Sequence, residues 1–149
     1  IAIASLKAEN TYIKIVYGQP YRNGRTIFGD WEPYGEVWRA GANEATEITI
    51  TRPVLIANQQ IDPGTYSLFV IPYEKEWTLI LNYELGLWGA FDYDASKDYK
   101  RIRVPIIELQ EPIEVFTIEF DEVINEISTL RMEWDKIRVE IPLRLFNAD

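Results

Sequence analysis

The densest group of chemically capable side chains lies in the segment YGEVWRAGANEAT, residues 34–46. It brings an indole, a guanidinium, an amide and a carboxylate together at Trp38, Arg39, Asn43 and Glu44. A polar cleft built from these groups would bind a small polar ligand. The same residues also suit a structural loop, in which Arg39 pairs with a nearby glutamate, Asn43 caps a turn and Trp38 fills the core. Both interpretations stay open at this point.

Arginines are the second candidate group. Arg22, Arg25 and Arg39 lie near one another in sequence. A guanidinium fork fits a carboxylate or phosphate, so together they could form an anion site. The alternative is that they neutralise the surplus of Asp and Glu in the chain itself.

A cluster of carboxylates lies in FDYDASKD at residues 91–98. Asp92, Asp94 and Asp98 could hold Ca²⁺ through oxygen ligands. The segment does not complete an EF-hand loop, which needs a glycine and a later glutamate at fixed positions. Capping of a short turn by Asp94 or Ser96 is the simpler interpretation, and no metal site is predicted.

Tryptophans divide into two groups. Trp31, Trp38 and Trp88 lie in irregular segments, whereas Trp77 and Trp134 are in phase with apolar strand faces. Tryptophans in loops can stack on sugar rings, with neighbours such as Tyr93 and Arg25 completing a ligand site. They can equally cover the ends of a core, where aromatic rings bury a large area.

Missing residue types restrict the chemistry further. The chain has no Cys and no His, so a Ser-His or Cys-His nucleophile pair cannot form and the usual zinc sites are excluded. The net charge of -9 argues against nucleic acid and anionic lipid as partners. No apolar run approaches the ~20 residues that span a bilayer, so no membrane insertion is expected. No cofactor is predicted.

The elements that must position these residues are strands. Apolar residues alternate with polar ones along most of the chain, as is typical of half-buried antiparallel strands. The clearest runs are Ile13, Ile15 and Tyr17; Ile48 and Ile50; Trp77, Leu79 and Leu81; Phe116, Ile118 and Phe120; and Leu130, Met132 and Trp134. The pattern predicts an all-β fold, an antiparallel β-sandwich (jelly-roll or Greek-key-like) with about 8–10 strands and little or no helix.

Turn residues separate the predicted strands. Asn23-Gly24 and Asp62-Pro63-Gly64-Thr65 predict tight turns. Asn58-Gln59 is expected to join a small hairpin, and Trp134-Asp135-Lys136 is expected to turn the last hairpin. The strand from Thr65 to Ile71 has two apolar faces, which predicts a central strand covered on both sides.

Two stretches interrupt the alternation, residues 19–45 and 83–99. Long irregular segments in compact domains are usually functional or carry structure of their own. The chain shows no repeat, low-complexity tract or linker, so residues 1–149 are expected to form one domain. It begins with Ile1 rather than Met, which fits a removed signal peptide.

Several strings carry a family resemblance: YGQP at 17–20, GRTIFG at 24–29, PYGEVWRAGANEAT at 33–46 and WGAFDY at 88–93. The likeness continues at residues 57–66, 71–72, 77, 98–103 and 130–134. With them, nearly the whole chain resembles a bacterial family known as domain of unknown function 2911. The resemblance implies export, hence a periplasmic or extracellular location, and it implies no established activity. Members often carry a His-containing segment before the first strand, which residues 3–7 of this chain lack.

Three functions are compatible with these observations. The first is a non-catalytic exported domain that binds a small molecule, a glycan or a protein through an aromatic-rich loop face built from residues 19–45 and 88–98. The second is a hydrolase or lyase acting on carbohydrate, which requires two carboxylates facing each other across a cleft. The third is a purely structural or oligomer-forming module; the sequence does not fix the oligomeric state.

Overall fold

In a computed structural model, described for residues 1–146, the chain folds into two antiparallel sheets that pack as a β-sandwich and do not close into a barrel. The ten strands are β1 (Ala2–Ala8), β2 (Thr11–Tyr17), β3 (Thr46–Ile50), β4 (Val54–Ile56), β5 (Gln59–Ile61), β6 (Gly64–Pro72), β7 (Glu76–Asn82), β8 (Asp98–Pro105), β9 (Ile107–Phe120) and β10 (Ile127–Leu145). One short 3-10 helix, Ala95–Lys97, precedes β8. The sandwich predicted from the alternation is therefore confirmed. Within residues 1–146, no helix has the length and apolar character needed to cross a membrane.

Consecutive strands are neighbours in the larger sheet, apart from one excursion. Its order is β1-β2-β3-β6-β7-β8, and the smaller sheet has the order β5-β4-β10-β9. After β3 the chain crosses to the smaller sheet, where β4 and β5 form a hairpin and β4 pairs with β10. It then returns to the larger sheet as β6, which pairs with β3. This hairpin was predicted, but its turn lies at Ala57 and Asn58, whose φ angles are 48° and 66°. Positive φ at both positions is the requirement of a tight two-residue hairpin turn.

The core between the sheets is dominated by aromatic rings. Trp38 stacks on Trp134 with 5.8 Å between ring centroids, and it meets Trp77 edge to face at the same distance. Phe28 and Phe116 complete the cluster. Each such pair is worth about 0.5–1.5 kcal/mol beyond the area it buries. A residue from the first irregular stretch, Trp38, thus lies at the centre of the core.

A second, smaller core lies on the outer face of the larger sheet. Phe69 and Ile71 of β6 and Ile80 of β7 are buried there beneath Ala45 and Leu87. The opposite face of β6 contributes to the main core. The prediction of a central strand covered on both sides is therefore confirmed, and the covering layer comes from the two irregular stretches.

The expected turn at Trp134-Asp135-Lys136 is wrong. β10 runs without interruption through these residues, and its pairing with β9 shifts register on both sides of Asp135. Asp135 has φ of 54° and forms a bulge rather than a turn. Its carboxylate accepts hydrogen bonds from the Ile27 backbone N–H at 3.0 Å and from Arg22 Nε at 2.8 Å. The bulge therefore ties the first irregular stretch to the smaller sheet.

Candidate functional site

Residues 35–46 form a closed loop that branches from the edge of β3. Trp38 exchanges two backbone hydrogen bonds with Val70, so the chain lies beside β6 where β3 has not yet begun. The neck of the loop closes where Thr46 N–H donates to Arg39 O at 3.3 Å and Thr46 Oγ1 donates to Ala40 O at 2.6 Å. The indole N–H of Trp38 donates to Gly41 O. These bonds fix the neck, so this half of the WRAGANEAT motif is structural.

The tip of the loop rests on the end of β2 because two glycines allow the backbones to approach. A Cβ on Gly18 would lie 2.2 Å from Ala42 O, and a Cβ on Gly41 would lie 3.1 Å from Gly18 O. A side chain larger than hydrogen at either glycine would push the loop tip away from the segment that follows β2. The approach carries Asn43 and Glu44 outward, where both side chains are exposed.

The second irregular stretch pairs with this tip. Ala45 N–H donates to Leu87 O at 2.9 Å, and Gly89 N–H donates to Asn43 O at 3.0 Å. Leu87 is buried in the outer core, which anchors the pair. Trp88 therefore projects directly beside Glu44, with its indole 58% exposed.

These elements enclose a groove with a volume of about 500 Å³. Its residues come from the end of β2, the loop tip and the second stretch: Val16, Tyr17, Gly18, Gln19, Tyr21, Ala42, Asn43, Glu44, Ala45, Glu47, Trp88 and also Ile1. Tyr21 and Trp88 present exposed aromatic rings. Gln19 Nε2 donates to Phe116 O at 3.3 Å, which holds the amide in place. The volume lies within the roughly 300–1,000 Å³ of ordinary small-molecule sites.

Of the residues predicted as a ligand site, the structure brings Asn43, Glu44 and Trp88 together in this groove. Trp38 is only 3% exposed and belongs to the core. Arg39 lines a separate pocket of about 260 Å³ with Glu32 and Phe91. Burial raises the pKa of the Glu32 carboxyl to about 6, although Arg39 and Arg25 act in the opposite direction and Glu36 adds to the rise.

The three arginines do not meet in one anion site. Arg22 pairs with Asp135 at 2.8 Å. Arg25 donates to the backbone oxygens of Arg22 and Tyr21 and lies 4.0 Å over the ring of Trp31. Two of the three guanidinium groups are therefore used to hold the first irregular stretch together.

Of the three aspartates, Asp98 forms a network with Tyr93 beside β8, Asp94 bonds locally to Ser96, and Asp92 is exposed. Tyr93 donates to the Asp98 carboxylate at 2.8 Å, and Arg101 binds the same carboxylate at 2.8 Å. Asp94 accepts from Ser96 N–H at 2.9 Å and caps the 3-10 helix, as its position in sequence predicts. Residues 1–146 contain no group of three acidic side chains arranged to hold a metal ion.

Sequence reasoning missed Gln19, Tyr21 and Glu47 in the groove and Glu32 and Phe91 in the Arg39 pocket. Gly18 was the available signal, because a glycine at the end of a strand often marks close approach of another backbone. The sequence does not say that the approaching backbone is Ala42. Pairing over such separations depends on the whole fold.

Fold and site together define the class of protein: it is a β-sandwich in which two irregular stretches pair to form a groove at one end of β2. The chain belongs to the family described as Protein of unknown function (DUF2911), which matches residues 2–143. The resemblance noted in the sequence is thus confirmed. No curated protein and no protein of known structure shows a significant match to the chain.

Proposed function

We propose that this protein is a non-catalytic, exported binding domain that holds a glycan in the groove between Tyr21 and Trp88. The observation that carries the proposal is the exposed indole of Trp88 beside the amide and carboxylate of Asn43 and Glu44. A pyranose ring has one face of C–H groups that packs on an aromatic ring, and its hydroxyls need donors and acceptors at the edge.

Rigidity supports the same proposal. The groove wall is fixed by the backbone bonds between residues 43–45 and 87–89, and its floor by the glycine contact with β2. A preformed site loses little conformational entropy when a ligand binds. Export is supported by the resemblance to a family whose members usually carry export signals, and fractionation of cells producing the natural full-length chain tests it.

A binding role fits the charged groups better than hydrolysis does. The carboxyl with a raised pKa, Glu32, lies in the Arg39 pocket rather than in the groove. Within residues 1–146, the charged group that shares its pocket is a guanidinium, not a second carboxylate. Glycoside hydrolysis needs two carboxyl groups, one of which donates a proton while the other acts as base or nucleophile. The groove does contain two glutamates, Glu44 and Glu47, but the Glu47 carboxylate accepts a hydrogen bond from the Gly86 N–H at 2.9 Å and is thus bound within the fold.

The test is a screen of neutral and acidic oligosaccharides by thermal shift, followed by calorimetric titration of those that stabilise the protein. Ligands that prefer the folded state raise the melting temperature. We expect Trp88→Ala to weaken binding by about 5- to 100-fold, since stacking of a nucleobase ring on an aromatic side chain is worth about 1–3 kcal/mol and a sugar face packs on an indole in a similar way.

Trp31→Ala is the matched control. Trp31 is 56% exposed, nearly the same as Trp88, but it lies outside the groove. If no sugar binds, or if Trp31→Ala weakens binding as much as Trp88→Ala, the proposal fails. Cleavage of a bound oligosaccharide during the titration would assign a hydrolase instead.

A further inference from the structure

The Arg39 side chain makes no hydrogen bond or ion pair with any of residues 1–146. Its Nε is buried, and among residues 1–146 it is the one buried side-chain nitrogen or oxygen without a hydrogen-bond partner. Four other arginines, namely Arg22, Arg101, Arg131 and Arg138, each bind a carboxylate at 2.6 to 2.9 Å. Arg52 and Arg144 also form no ion pair among residues 1–146, but both are exposed to water, whereas the Nε of Arg39 is buried. Desolvated charged donors normally bind an acceptor.

The pocket around Arg39 has the shape and chemistry of a site for a small ligand. Its volume of about 260 Å³ is close to the lower limit for small-molecule sites. Apolar carbons of Val37, Ala90 and Phe91 form its walls. The Phe91 ring is 86% exposed, so an apolar ligand would cover it. Gly89 leaves room for the guanidinium, since a Cβ there would lie 3.0 Å from Arg39 Nη1.

Charge selects the kind of anion. The pocket offers one guanidinium and one carboxyl, Glu32, which is not within ion-pair distance of Arg39 in the described part of the chain. An ionised Glu32 repels an anion, whereas a protonated Glu32 can donate a hydrogen bond to it. A single guanidinium beside a protonated carboxyl balances a monoanion and leaves a dianion such as sulfate under-compensated.

We propose that this pocket binds a small organic monocarboxylate, whose carboxylate pairs with the Arg39 guanidinium and whose apolar part covers Phe91 and Val37. This site is distinct from the groove, because the loop 87–91 sends Trp88 to the groove and Phe91 to the pocket. It therefore stands whether or not the groove binds a glycan.

Binding must depend on pH through Glu32. The groups that act on this carboxyl are Arg39, Arg25 and Glu36, and its pKa is about 6. At pH 5 about nine-tenths of the molecules carry a protonated Glu32, and at pH 7 about one-tenth do. If only that form binds, the apparent Kd rises about 10-fold between the two pH values.

The test uses benzoate as the probe, with benzamide as the neutral analogue of the same shape and inorganic sulfate as an anion that is doubly charged at both pH values. Binding is measured by calorimetric titration in every variant at pH 5 and pH 7, and in the parent also by the NMR signal of the Arg39 Nε–H group. We expect benzoate to shift this signal and to bind about 10-fold tighter at pH 5, and both benzamide and sulfate to bind at least ~10-fold more weakly than benzoate.

Two variants and one control complete the experiment. Arg39→Lys keeps the charge but loses the fork, and we expect it to lose benzoate binding. Glu32→Gln keeps the hydrogen-bond donor and should bind benzoate equally at both pH values. Arg103→Lys, at an exposed arginine on β8, should behave like the parent. Unchanged binding by Arg39→Lys, a pH dependence that persists in Glu32→Gln, or a failure of benzoate to shift the signal at pH 5 overturns the proposal.

Discussion

Replacing Asp135 by alanine should destabilise the protein by about 3 kcal/mol. The residue is buried in the bulge of β10, where its two oxygens bind the Ile27 N–H at 3.0 Å and Arg22 Nε at 2.8 Å. The orphaned Ile27 N–H lies at a fully buried residue and costs about 1–3 kcal/mol. The lost charged bond adds about 1–2 kcal/mol, less than a fully buried pair because the Arg22 side chain is 25% exposed and recovers some hydration.

Equilibrium unfolding in urea measures the loss. With a slope of about 2 kcal/mol per M, the midpoint should fall by about 1.5 M without a change in slope. Asp135→Asn is the matched variant, because asparagine has the same shape, tolerates the φ of 54° and keeps one acceptor. We expect it to cost about half as much as the alanine variant.

The same experiment shows whether Asp135 links residues 19–45 to β10 or only shapes the local backbone. If Asp135 merely shaped a local turn, alanine would cost less than about 1 kcal/mol and Arg22→Ala would add its own effect independently. We expect instead that the effects of Asp135→Ala and Arg22→Ala overlap in a double-mutant cycle. Additive effects, or an alanine variant within about 1 kcal/mol of the parent, would refute the assignment of the bulge as the tie for residues 19–45.

Three further predictions concern separate parts of the molecule. Gly18→Ala should destabilise the protein by more than about 2 kcal/mol in urea unfolding, since its Cβ would lie 2.2 Å from Ala42 O; Gly24→Ala, where no atom lies within 4 Å, should cost only the roughly 1–2 kcal/mol of its positive φ. Burial raises the pKa of the Glu32 carboxyl from 4.5 to about 6, so its contribution to the free energy of unfolding is complete below pH 4.5 and is lost as pH rises through 6. Between pH 4 and pH 7 the free energy of unfolding of Glu32→Gln should therefore rise by up to about 1 kcal/mol relative to that of the parent, after allowance for the partial exposure of Glu32. Burial likewise raises the pKa of Tyr66 to about 12, so thermal stability should fall as pH rises from 10 to 12, and less steeply in Tyr66→Phe; an equal fall in both would contradict the assignment.

The sheets could be predicted from the sequence because strand patterning is local. Ile13, Ile15 and Tyr17 alternate with polar neighbours, and all three lie in the core. The double coverage of β6 was visible for the same reason, since Phe69 and Ile71 add apolar residues to its second face. In each case neighbouring residues alone specify which face is buried.

Asp135 shows where local patterning fails. An aspartate between two strand-like runs is equally compatible with a turn and with a bulge, because both favour residues that tolerate positive φ. What decides between them is the hydrogen bonding of the two carboxylate oxygens. Their partners, Ile27 and Arg22, lie 108 and 113 residues away in the chain, and no short window of sequence contains that information.

The residues of the WRAGANEAT motif have two roles, because some of them hold the loop in shape while others are free to contact a ligand. Trp38, Gly41 and Thr46 pack in the core or close the neck of the loop. Because these contacts fix the loop, Asn43 and Glu44 are exposed in a defined position, and the buried Nε of Arg39 has no hydrogen-bond partner among residues 1–146. A flexible loop with the same polar residues would turn them toward one another or toward water, whereas a closed neck keeps them available to a ligand. Opening the neck with Thr46→Val, which removes the bond to Ala40 O but keeps the side-chain volume, should therefore weaken ligand binding at both the groove and the Arg39 pocket while the sheets stay folded.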